Sequence, residues 1–233
     1  KAQAGEQFGL LPVDMDEPAG RKNVTFTVTG SDGALYSGST SFIVVKKKFP
    51  VQRLSLPESQ VTLSKENLAR HQREKALLRE AFERALPGKH WNGFFMRPID
   101  GQVSTPFGVR RFMNDIPKKS HSGVDIQAPS GKPVSATSDG VVALTGDRFF
   151  SGKSVFVDHG MGIFSMYFHL SQIDVKPGQR VACGEVIGRV GSTGRSTGPH
   201  LHWGIRILDQ RVDPLAFVQL FAEKETQRQP EKQ

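Results

Sequence analysis

The stretch Gly198-Pro199-His200-Leu201-His202-Trp203-Gly204 places two histidines two positions apart in a run of alternating apolar residues. Such alternation is typical of a half-buried β-strand, in which residues i and i+2 point to the same face. We therefore predict that His200 and His202 share one face of a strand, with Leu201 and Trp203 on the other. Two neighbouring imidazoles can both bind one metal ion, or one can bind it while the other acts on a substrate. This pair alone is only a weak indication of a metal site.

A second stretch, His121-Ser122-Gly123-Val124-Asp125, strengthens that indication. Gly123 and the absence of helical periodicity favour an extended chain, so His121 and Asp125 are also predicted to share a face. Two histidines and one aspartate, with room for a water molecule, are a recognised catalytic zinc set. Cys183 is the only cysteine, which excludes a cysteine-rich zinc site, so any metal must be bound by histidine and carboxylate.

The overall composition is typical of a turn-rich β protein. Hydrophobic residues make up 37% of the chain, alongside 24 glycines and 14 prolines. No run approaches the ~18 apolar residues of a membrane span. The net charge of +8 suits either solubility or attraction to a polyanion. A nucleic-acid-binding protein is one alternative, but it is supported only by charge, since no helix-turn-helix, zinc-finger or RNP pattern occurs.

Residues 1–49 are predicted to form an N-terminal β module. Val24–Val28 and Thr40–Val45 have the pattern of strands, and Ser31-Asp32-Gly33 is typical of a turn. A two-layer β domain usually needs more strands than these. We therefore interpret the module as incomplete and expect the chain to start inside a domain. The chain begins at Lys1 without a signal-peptide pattern, and we expect a leader or other upstream sequence to lie outside it.

Residues 50–90 are predicted to form a linker and a helical strut, with Ser64 as the helix N-cap and Pro87-Gly88 ending the helix after Leu86. Residues 91–222 are predicted to form the main domain, because short strands separated by glycine and proline favour an antiparallel β-sheet. The fold class is therefore mainly β, with a long connecting helix. Residues 223–233 contain no apolar side chain and are expected to be disordered. We interpret Asp158-His159-Gly160 as a hairpin turn, with His159 at the surface.

Three motifs occur in a fixed order: His121-Ser122-Gly123-Val124-Asp125, Tyr167-Phe168-His169-Leu170, and the segment from Gly191 to His202. Together they resemble the lysostaphin-type zinc endopeptidases, which cut the peptides of peptidoglycan. The marks of that family are HxxxD, a separate histidine after a strand, and HxH. The resemblance runs from Phe107 to Phe217. The segment from Phe49 to Leu86 looks like the connector of bacterial envelope members that carry an N-terminal β domain.

The resemblance implies one zinc ion per chain, bound by His121, Asp125 and His202. It places His169 and His200 beside the metal-bound water. One would take the proton of that water, and the other would stabilise the oxyanion or protonate the leaving amine. Which histidine does which stays open. No HExxH motif is present, so a histidine is the natural substitute for a glutamate base. Asn114 and Arg195 are further candidates, for lining the substrate groove.

The function implied by the resemblance is zinc-dependent endopeptidase activity on the peptide cross-links of bacterial peptidoglycan. The expected bond joins D-Ala to diaminopimelate, and the expected location is the cell envelope, in the periplasm. Peptidoglycan is the expected partner, and we expect no nucleic acid. Some relatives keep the fold, lose the metal residues and activate cell-wall amidases, so a non-enzymatic or autoinhibited regulator is the alternative. The complete set of metal residues argues against it. Whether the N-terminal module inhibits or targets the enzyme is open, as is the oligomeric state.

Overall fold

The computed structural model describes residues 9–30, 32–55 and 63–228. This part of the chain is mainly β, as predicted. In the N-terminal part, β1 (Gly20–Thr29) and β2 (Leu35–Val44) pair as an antiparallel hairpin, with Gly20 opposite Val44 and Thr29 opposite Leu35. Both predicted strands of this part are confirmed, each longer at its N-terminal end than the sequence pattern suggested. The predicted turn between them includes Ser31, which lies outside the described residues.

The other described strands are short and follow one another closely along the chain. In chain order they are β3 (Val51–Leu54), β4 (Val103–Thr105), β5 (Arg110–Met113), β6 (Ile116–Pro117), β7 (Val124–Gln127), β8 (Pro133–Ser135), β9 (Gly140–Arg148), β10 (Gly152–Gly160), β11 (Ile163–Leu170), β12 (Gln172–Ile173), β13 (Arg180–Val181), β14 (Val186–Arg189), β15 (His200–Ile207) and β16 (Gln210–Val212). The two described helices are α1 (Lys65–Glu83) and α2 (Pro214–Arg228).

The main sheet has the strand order β13-β9-β10-β11-β15-β7-β4, and β16 pairs with β15 outside this path. All of its pairs are antiparallel, which confirms the predicted sheet type. A smaller sheet has the order β12-β14-β8, and another has the order β3-β5-β6. The pairing of β3 with β5 is parallel. The linker after the N-terminal hairpin is therefore joined by backbone hydrogen bonds to a strand that lies close to β7 in the sequence.

Strand β15 has two chemically different faces. Leu201, Trp203 and Ile205 are fully buried in the core of the main sheet, where they pack among apolar residues of β7, β10 and β11. His200 and His202 lie on the opposite face, as the alternation predicted. Burying a side chain as large as that of Trp203 stabilises the fold by a few kcal/mol. The core face thus fixes the register that sets the positions of the two histidines.

Helix α1 lies against the same face of the main sheet as His202, because Phe82 packs on Phe156, Phe156 packs on Phe168, and Phe168 stacks on His202. Its N-cap is Ser64, as predicted, and the Ser64 hydroxyl accepts a hydrogen bond from the backbone N–H of Asn67 at 3.2 Å. None of its residues is buried, and it docks mainly through Phe82, whose ring meets that of Phe164 edge-on at 4.9 Å. Just beyond the helix, the backbone N–H of Leu86 donates to the Asp158 carboxylate at 2.8 Å. No helix in the described ranges is both long enough and apolar enough to cross a membrane.

Helix α2 corrects one expectation. Its apolar residues Phe217 and Phe221 pack against Trp91 and Phe95, and the helix continues to Arg228. Residues 223–228 were expected to be disordered. They contain glutamate, lysine, glutamine and arginine, which extend a helix readily once its first turns are docked on a core. The remainder of the predicted tail, residues 229–233, lies outside the described residues.

The expectation that His159 lies at the surface was wrong. Strand β10 continues to Gly160, so the turn falls on Met161 and Gly162, which both have positive φ angles (54° and 74°). His159 is fully buried. Its Nδ1–H donates to the carbonyl of Asp139 at 2.7 Å, and its Nε2 accepts from the Ser165 hydroxyl at 2.8 Å. Burial lowers the pKa of His159 to about 4, so the ring is neutral inside the fold.

Candidate active site

The pairing of β15 with β7 places His202 directly opposite Asp125. His121 lies in the loop that enters β7, four residues before Asp125, and its ring turns back towards this pair. All three side chains are buried, at 3%, 7% and 8% exposure for His121, Asp125 and His202. The structure therefore brings together two histidines and one aspartate from two separate stretches of the sequence.

The three donor atoms of this group converge on one point. His121 Nε2 lies 2.9 Å from Asp125 Oδ1 and 2.9 Å from His202 Nδ1, and His202 Nδ1 lies 2.8 Å from Asp125 Oδ1. Within the described part of the chain, these are the residues whose donor atoms are arranged to hold a metal ion. Imidazole nitrogen and carboxylate oxygen are also ligands that zinc accepts.

The hydrogen bonding of His121 shows that this convergence suits a cation. His121 Nδ1 lies 2.8 Å from the carbonyl of Pro106, which can only accept, so Nδ1 carries the proton. In the neutral ring, Nε2 then presents a lone pair to the Asp125 carboxylate, which also presents lone pairs. A bound metal ion would satisfy both acceptors and the ring nitrogen of His202. The donor set therefore fits a metal ion, and the Pro106 carbonyl fixes the orientation of one ligand.

The protonation states of the group agree with metal binding. Burial by itself raises the pKa of the Asp125 carboxyl, but the contacts with His121 and His202 outweigh it and hold that pKa below its ordinary value. Burial lowers the pKa of His202 to about 4, although the contact with Asp125 opposes the shift. At neutral pH the group therefore holds an ionised carboxylate and a neutral imidazole, which are the forms that bind a metal.

The ring of His202 is held from two sides. It stacks on the ring of Phe168, its cross-strand neighbour, with centroids 5.1 Å apart and planes 6° apart. On the other side is Gly123, where an added Cβ atom would lie 2.8 Å from His202 Nε2 and would also clash with the carbonyl of Trp203. Glycine is therefore required at position 123 because the backbone passes directly beside the ring.

His200 lies next to the cluster but outside it. Its Nδ1–H donates to the carbonyl of Gly198 at 2.8 Å, so its Nε2 carries a lone pair in the neutral ring. That Nε2 is 3.8 Å from Asp125 Oδ1, a longer separation than any within the cluster. The two histidines of the HxH pair thus occupy different positions: His202 is among the converging donors, and His200 stands beside them.

His169 reaches the same side of the sheet through a β-bulge. Leu170 pairs with Lys153 and Tyr167 pairs with Val155, so two residues of β11 lie opposite one residue of β10. His169 occupies the left-handed region at φ 64°, which is uncommon for a residue other than glycine. Regular alternation would turn His169 towards the core. The bulge instead brings its ring to within 4.8 Å of the ring of His200.

The His169 ring is fixed in the same way as that of His200. Its Nδ1–H donates to the carbonyl of Thr193 at 2.8 Å, which leaves a lone pair on Nε2. Burial is the largest cause that lowers the pKa of His169, and the charge of His200 lowers it further. A neutral imidazole with an unprotonated Nε2, next to side chains that could hold a metal ion, has the chemical form of a general base.

The two residues expected to line a groove each precede one of the motifs in the sequence: Asn114 precedes HxxxD, and Arg195 precedes HxH. Asn114 is in the turn between β5 and β6, with φ 50°, and Arg195 is in the loop that leads to His200. The guanidinium of Arg195 lies over the ring of Phe150, 4.6 Å from its centroid. The role of both residues in a groove stays a prediction.

Sequence reasoning missed Arg111. This residue is on β5, and its Nη2 lies 3.6 Å from Asp125 Oδ2, the carboxylate oxygen that is not shared with the two histidines. The signal in the sequence was the pair Arg110-Arg111 shortly before the HxxxD motif. In a strand, two adjacent residues point to opposite faces. One of the two arginines was therefore expected to face the side of the sheet on which the site lies.

Comparison with known proteins places these features in a family. The model of peptidase family M23 matches residues 119–214, a range that contains all five residues of the proposed metal and catalytic set. The crystal structure of a Pseudomonas aeruginosa protein assigned to peptidase M23 is similar over 89% of this chain and 77% of that chain, with 38% identity and a TM-score of 0.69. The chain belongs to peptidase family M23. The family resemblance inferred from the three motifs is therefore confirmed.

Curated relatives of this M23 chain are similar to it over about half of its length. The DD-carboxypeptidase/endopeptidase Mpg of Neisseria meningitidis is 43% identical over 125 residues, which are 53% of this chain and 29% of Mpg. The peptidoglycan DD-endopeptidase ShyA of Vibrio cholerae is 38% identical over 122 residues, which are 51% of this chain and 28% of ShyA. The similarity thus spans less than a third of the length of these relatives.

Proposed function

We propose that this M23 chain is a zinc-dependent endopeptidase that hydrolyses the peptide cross-links of bacterial peptidoglycan. The observation that carries the proposal is the convergence of His121 Nε2, Asp125 Oδ1 and His202 Nδ1 within 2.9 Å of one another, with His169 and His200 beside them. The printed names of the relatives, a DD-carboxypeptidase/endopeptidase and a peptidoglycan DD-endopeptidase, support this substrate class. The proposed bond joins D-Ala to diaminopimelate.

His121, Asp125 and His202 would hold one zinc ion per chain. Three protein ligands leave a position open for water or substrate, as in catalytic zinc sites. When bound, zinc would supply Lewis-acid chemistry, polarising the scissile carbonyl and lowering the pKa of a water ligand towards ~7. The stacking of Phe168 on His202 and the hydrogen bond from His121 to Pro106 would orient two of the three ligands for that ion.

His169 and His200 would move the protons. Both rings present an unprotonated Nε2, so each can accept the proton of the attacking water as its oxygen bonds to the carbonyl carbon. The C–N bond then breaks, and a protonated ring returns a proton to the leaving amine. The second ring would stabilise the developing oxyanion by a hydrogen bond from Nε2 only when that nitrogen is protonated. Because both rings hold the same tautomer, either can serve as the base.

The proposed location is the periplasm, where peptidoglycan lies in the cell envelope. The net charge of +8 would favour contact with an anionic cell wall. We assign the catalytic role to residues 91–222, and we propose that residues 50–90 connect this domain to the N-terminal module of residues 1–49.

The proposal is tested with zinc-loaded protein and purified cross-linked muropeptide dimers whose composition is known. We expect mass analysis to show conversion of dimers to monomers by cleavage between D-Ala and diaminopimelate. The matched control is Asp125→Ala, which should leave the dimers intact. Dimers that remain uncleaved by folded, zinc-loaded protein would contradict the proposed function, whereas cleavage at a different bond would contradict only the assigned bond.

A further inference from the structure

Arg111 lies beside the group formed by His121, Asp125 and His202, and one of its hydrogen-bond donors has no partner. The 3.6 Å between its Nη2 and Asp125 Oδ2 is too long for a good hydrogen bond. Its Nε is buried and has no hydrogen-bond partner among the described residues. A buried donor without a partner destabilises a protein unless another group satisfies it. The Arg111 side chain as a whole remains 27% exposed.

Arg195 provides a second guanidinium, in the loop that also supplies the Thr193 carbonyl to His169. Its backbone N–H donates to the carbonyl of Phe150 at 3.0 Å, and its side chain lies over the ring of Phe150. No carboxylate of the described ranges lies within ion-pair distance of it. The aromatic ring covers one face of the planar guanidinium and leaves its N–H edges available, which suits bidentate binding of a carboxylate.

The charge of Arg111 acts on Arg195 and on His169. Partial burial lowers the pKa of Arg195, and the positive charge of Arg111 lowers it further. Arg111 is also among the charges that lower the pKa of His169. The two guanidiniums therefore belong to the same electrostatic environment as the proposed reaction centre. Asp125 faces Arg111 at 3.6 Å, and no described carboxylate pairs with Arg195, so the two guanidiniums together keep an excess of positive charge that favours an anionic group of the substrate.

We propose that Arg111 and Arg195 form a carboxylate-binding subsite for the leaving-group side of the substrate. The inference rests on the proposed function and specifies which substrates the site accepts. The carboxylate in question is bonded to the same carbon as the leaving nitrogen. A C-terminal amino acid has that arrangement, and so does the cross-linking centre of diaminopimelate. At an internal α-peptide bond, a neutral amide occupies the corresponding position.

One subsite would then account for two activities. The removal of a C-terminal D-Ala and the cleavage of a D-Ala–diaminopimelate cross-link both release an amine whose carbon carries a free carboxylate. The C-terminal D-Ala and the cross-linked diaminopimelate present the same carboxylate to the subsite. They differ only in the side chain attached to the carbon that carries it. We therefore expect this chain to act both as a carboxypeptidase and as an endopeptidase, and to discriminate against amide bonds within an ordinary peptide.

The test compares substrates that differ in one charge. One cross-linked dimer has the free carboxylate beside the scissile bond, the second has that carboxylate amidated, and the third is amidated instead at the glutamate carboxylate of the stem peptide. With zinc-loaded wild-type protein, we expect kcat/KM to fall on the order of 10–100-fold for the second dimer and to be unchanged for the third. If kcat/KM falls for the third dimer alone, the protein recognises the glutamate carboxylate instead of the one beside the scissile bond, and the proposal is overturned.

Variants of the two arginines test the same contact from the side of the protein. Arg195→Gln should raise KM for the free-carboxylate dimer on the order of 10–100-fold, with little change for the amidated dimer. Arg111→Gln should behave in the same way, and its zinc content is measured because Arg111 lies beside Asp125. Arg110→Gln is the control, since this neighbour on β5 points to the opposite face and pairs with Asp16 at 2.8 Å. Equal losses on both dimers in Arg195→Gln would overturn the subsite.

A binding measurement separates this inference from the proposed function. A fluorescent peptide ending in D-Ala-D-Ala is titrated as the free acid and as the C-terminal amide into wild-type protein and Arg195→Gln. We expect the free acid to bind wild-type protein on the order of 10-fold more tightly than the amide, and we expect the difference to disappear in the variant. Equal affinity of wild-type protein for the two peptides would overturn the subsite even if the dimers are cleaved. A preference for the free acid would support it even if they are not.

Discussion

The rings of His169 and His200 lie with their centroids 4.8 Å apart, and each is fixed by a hydrogen bond from Nδ1 to a carbonyl of the same loop. The acceptors are Thr193 and Gly198, five residues apart in the segment before β15. This loop therefore sets the tautomer of both rings. In the neutral rings, each Nε2 atom then carries a lone pair.

The first prediction separates the two histidines of the HxH pair. His202→Ala removes one of the three converging donors, so both zinc content and hydrolysis should fall. His200→Ala should keep zinc nearly stoichiometric while the rate falls on the order of 10²–10⁴-fold, because it removes a proton-transfer group. Zinc per chain and hydrolysis rate are measured for both variants. If His200→Ala loses its metal as completely as His202→Ala, the division of roles between them is wrong.

The same assay extends to His169, which should resemble His200 in keeping the metal and losing rate. The double variant of His169 and His200 should lose less than the product of the two single losses, because groups that act as one unit are not additive. Fully multiplicative losses would mean that the two rings act independently.

The second prediction concerns Asp125, whose Oδ1 lies within 2.9 Å of a ring nitrogen of His121 and of His202. Asp125→Ala should abolish stoichiometric zinc binding with little loss of fold, since the core face of β7 and β15 is unchanged. Elemental analysis and far-ultraviolet circular dichroism provide the two measurements. Asp174→Ala is the control, because that carboxylate pairs with Arg189 at 3.7 Å outside the cluster. Full zinc in the Asp125 variant would remove it from the ligand set.

The third prediction concerns Gly123, where the backbone passes beside His202. In Gly123→Ala, the added methyl group must displace the His202 ring or the Trp203 carbonyl, so zinc affinity should weaken on the order of 10–100-fold. Competition with a chromogenic chelator measures the affinity. Gly88→Ala is the matched control, because nothing lies within 4 Å of a Cβ atom at that position. Unchanged affinity in Gly123→Ala would show that the His202 ring can move without loss of binding.

The fourth prediction is a pH dependence of stability that originates in His159. The unfolded chain binds a proton at this residue near pH 6.5, whereas the folded chain binds one only near pH 4. Between these values the unfolded state binds more protons, so the free energy of unfolding should rise with pH, by about 3 kcal/mol across the window. Urea unfolding from pH 4 to 7 is compared for wild-type protein and His159→Gln in the same metal-free buffer. Identical slopes would assign the pH dependence to other groups.

The parts of the structure that followed from sequence are those where a local pattern determines which way a side chain points or where an element begins. The alternation of β15 placed His200 and His202 on one face, because Leu201 and Trp203 must face the core. His121 and Asp125 also meet as predicted, but His121 lies in the loop before β7 and reaches Asp125 by turning its ring back rather than by strand alternation. Ser64 was recognisable as a helix cap because its hydroxyl satisfies a backbone N–H at the start of the helix. For β15 and Ser64, a few neighbouring residues carry the whole signal.

The parts that did not follow depend on contacts distant in sequence. His159 has the neighbours of a turn residue, yet Asp139 and Ser165 satisfy both ring nitrogens in the core. Arg111 meets Asp125 only because β5 and β7 are brought together by the fold. The bulge at His169 has no compositional signal, since no glycine or asparagine marks the position with positive φ.

The bulge at His169 also defines what would have to be copied to transplant this centre into another protein. A designer who grafted the motif side chains onto a regular antiparallel sheet would obtain His200 and His202 in place and His169 pointing into the core. One extra residue must be inserted in the strand equivalent to β11, and the loop must supply two carbonyl groups where Thr193 and Gly198 supply them here. The minimal portable unit is therefore a strand irregularity and a loop as well as a set of ligands.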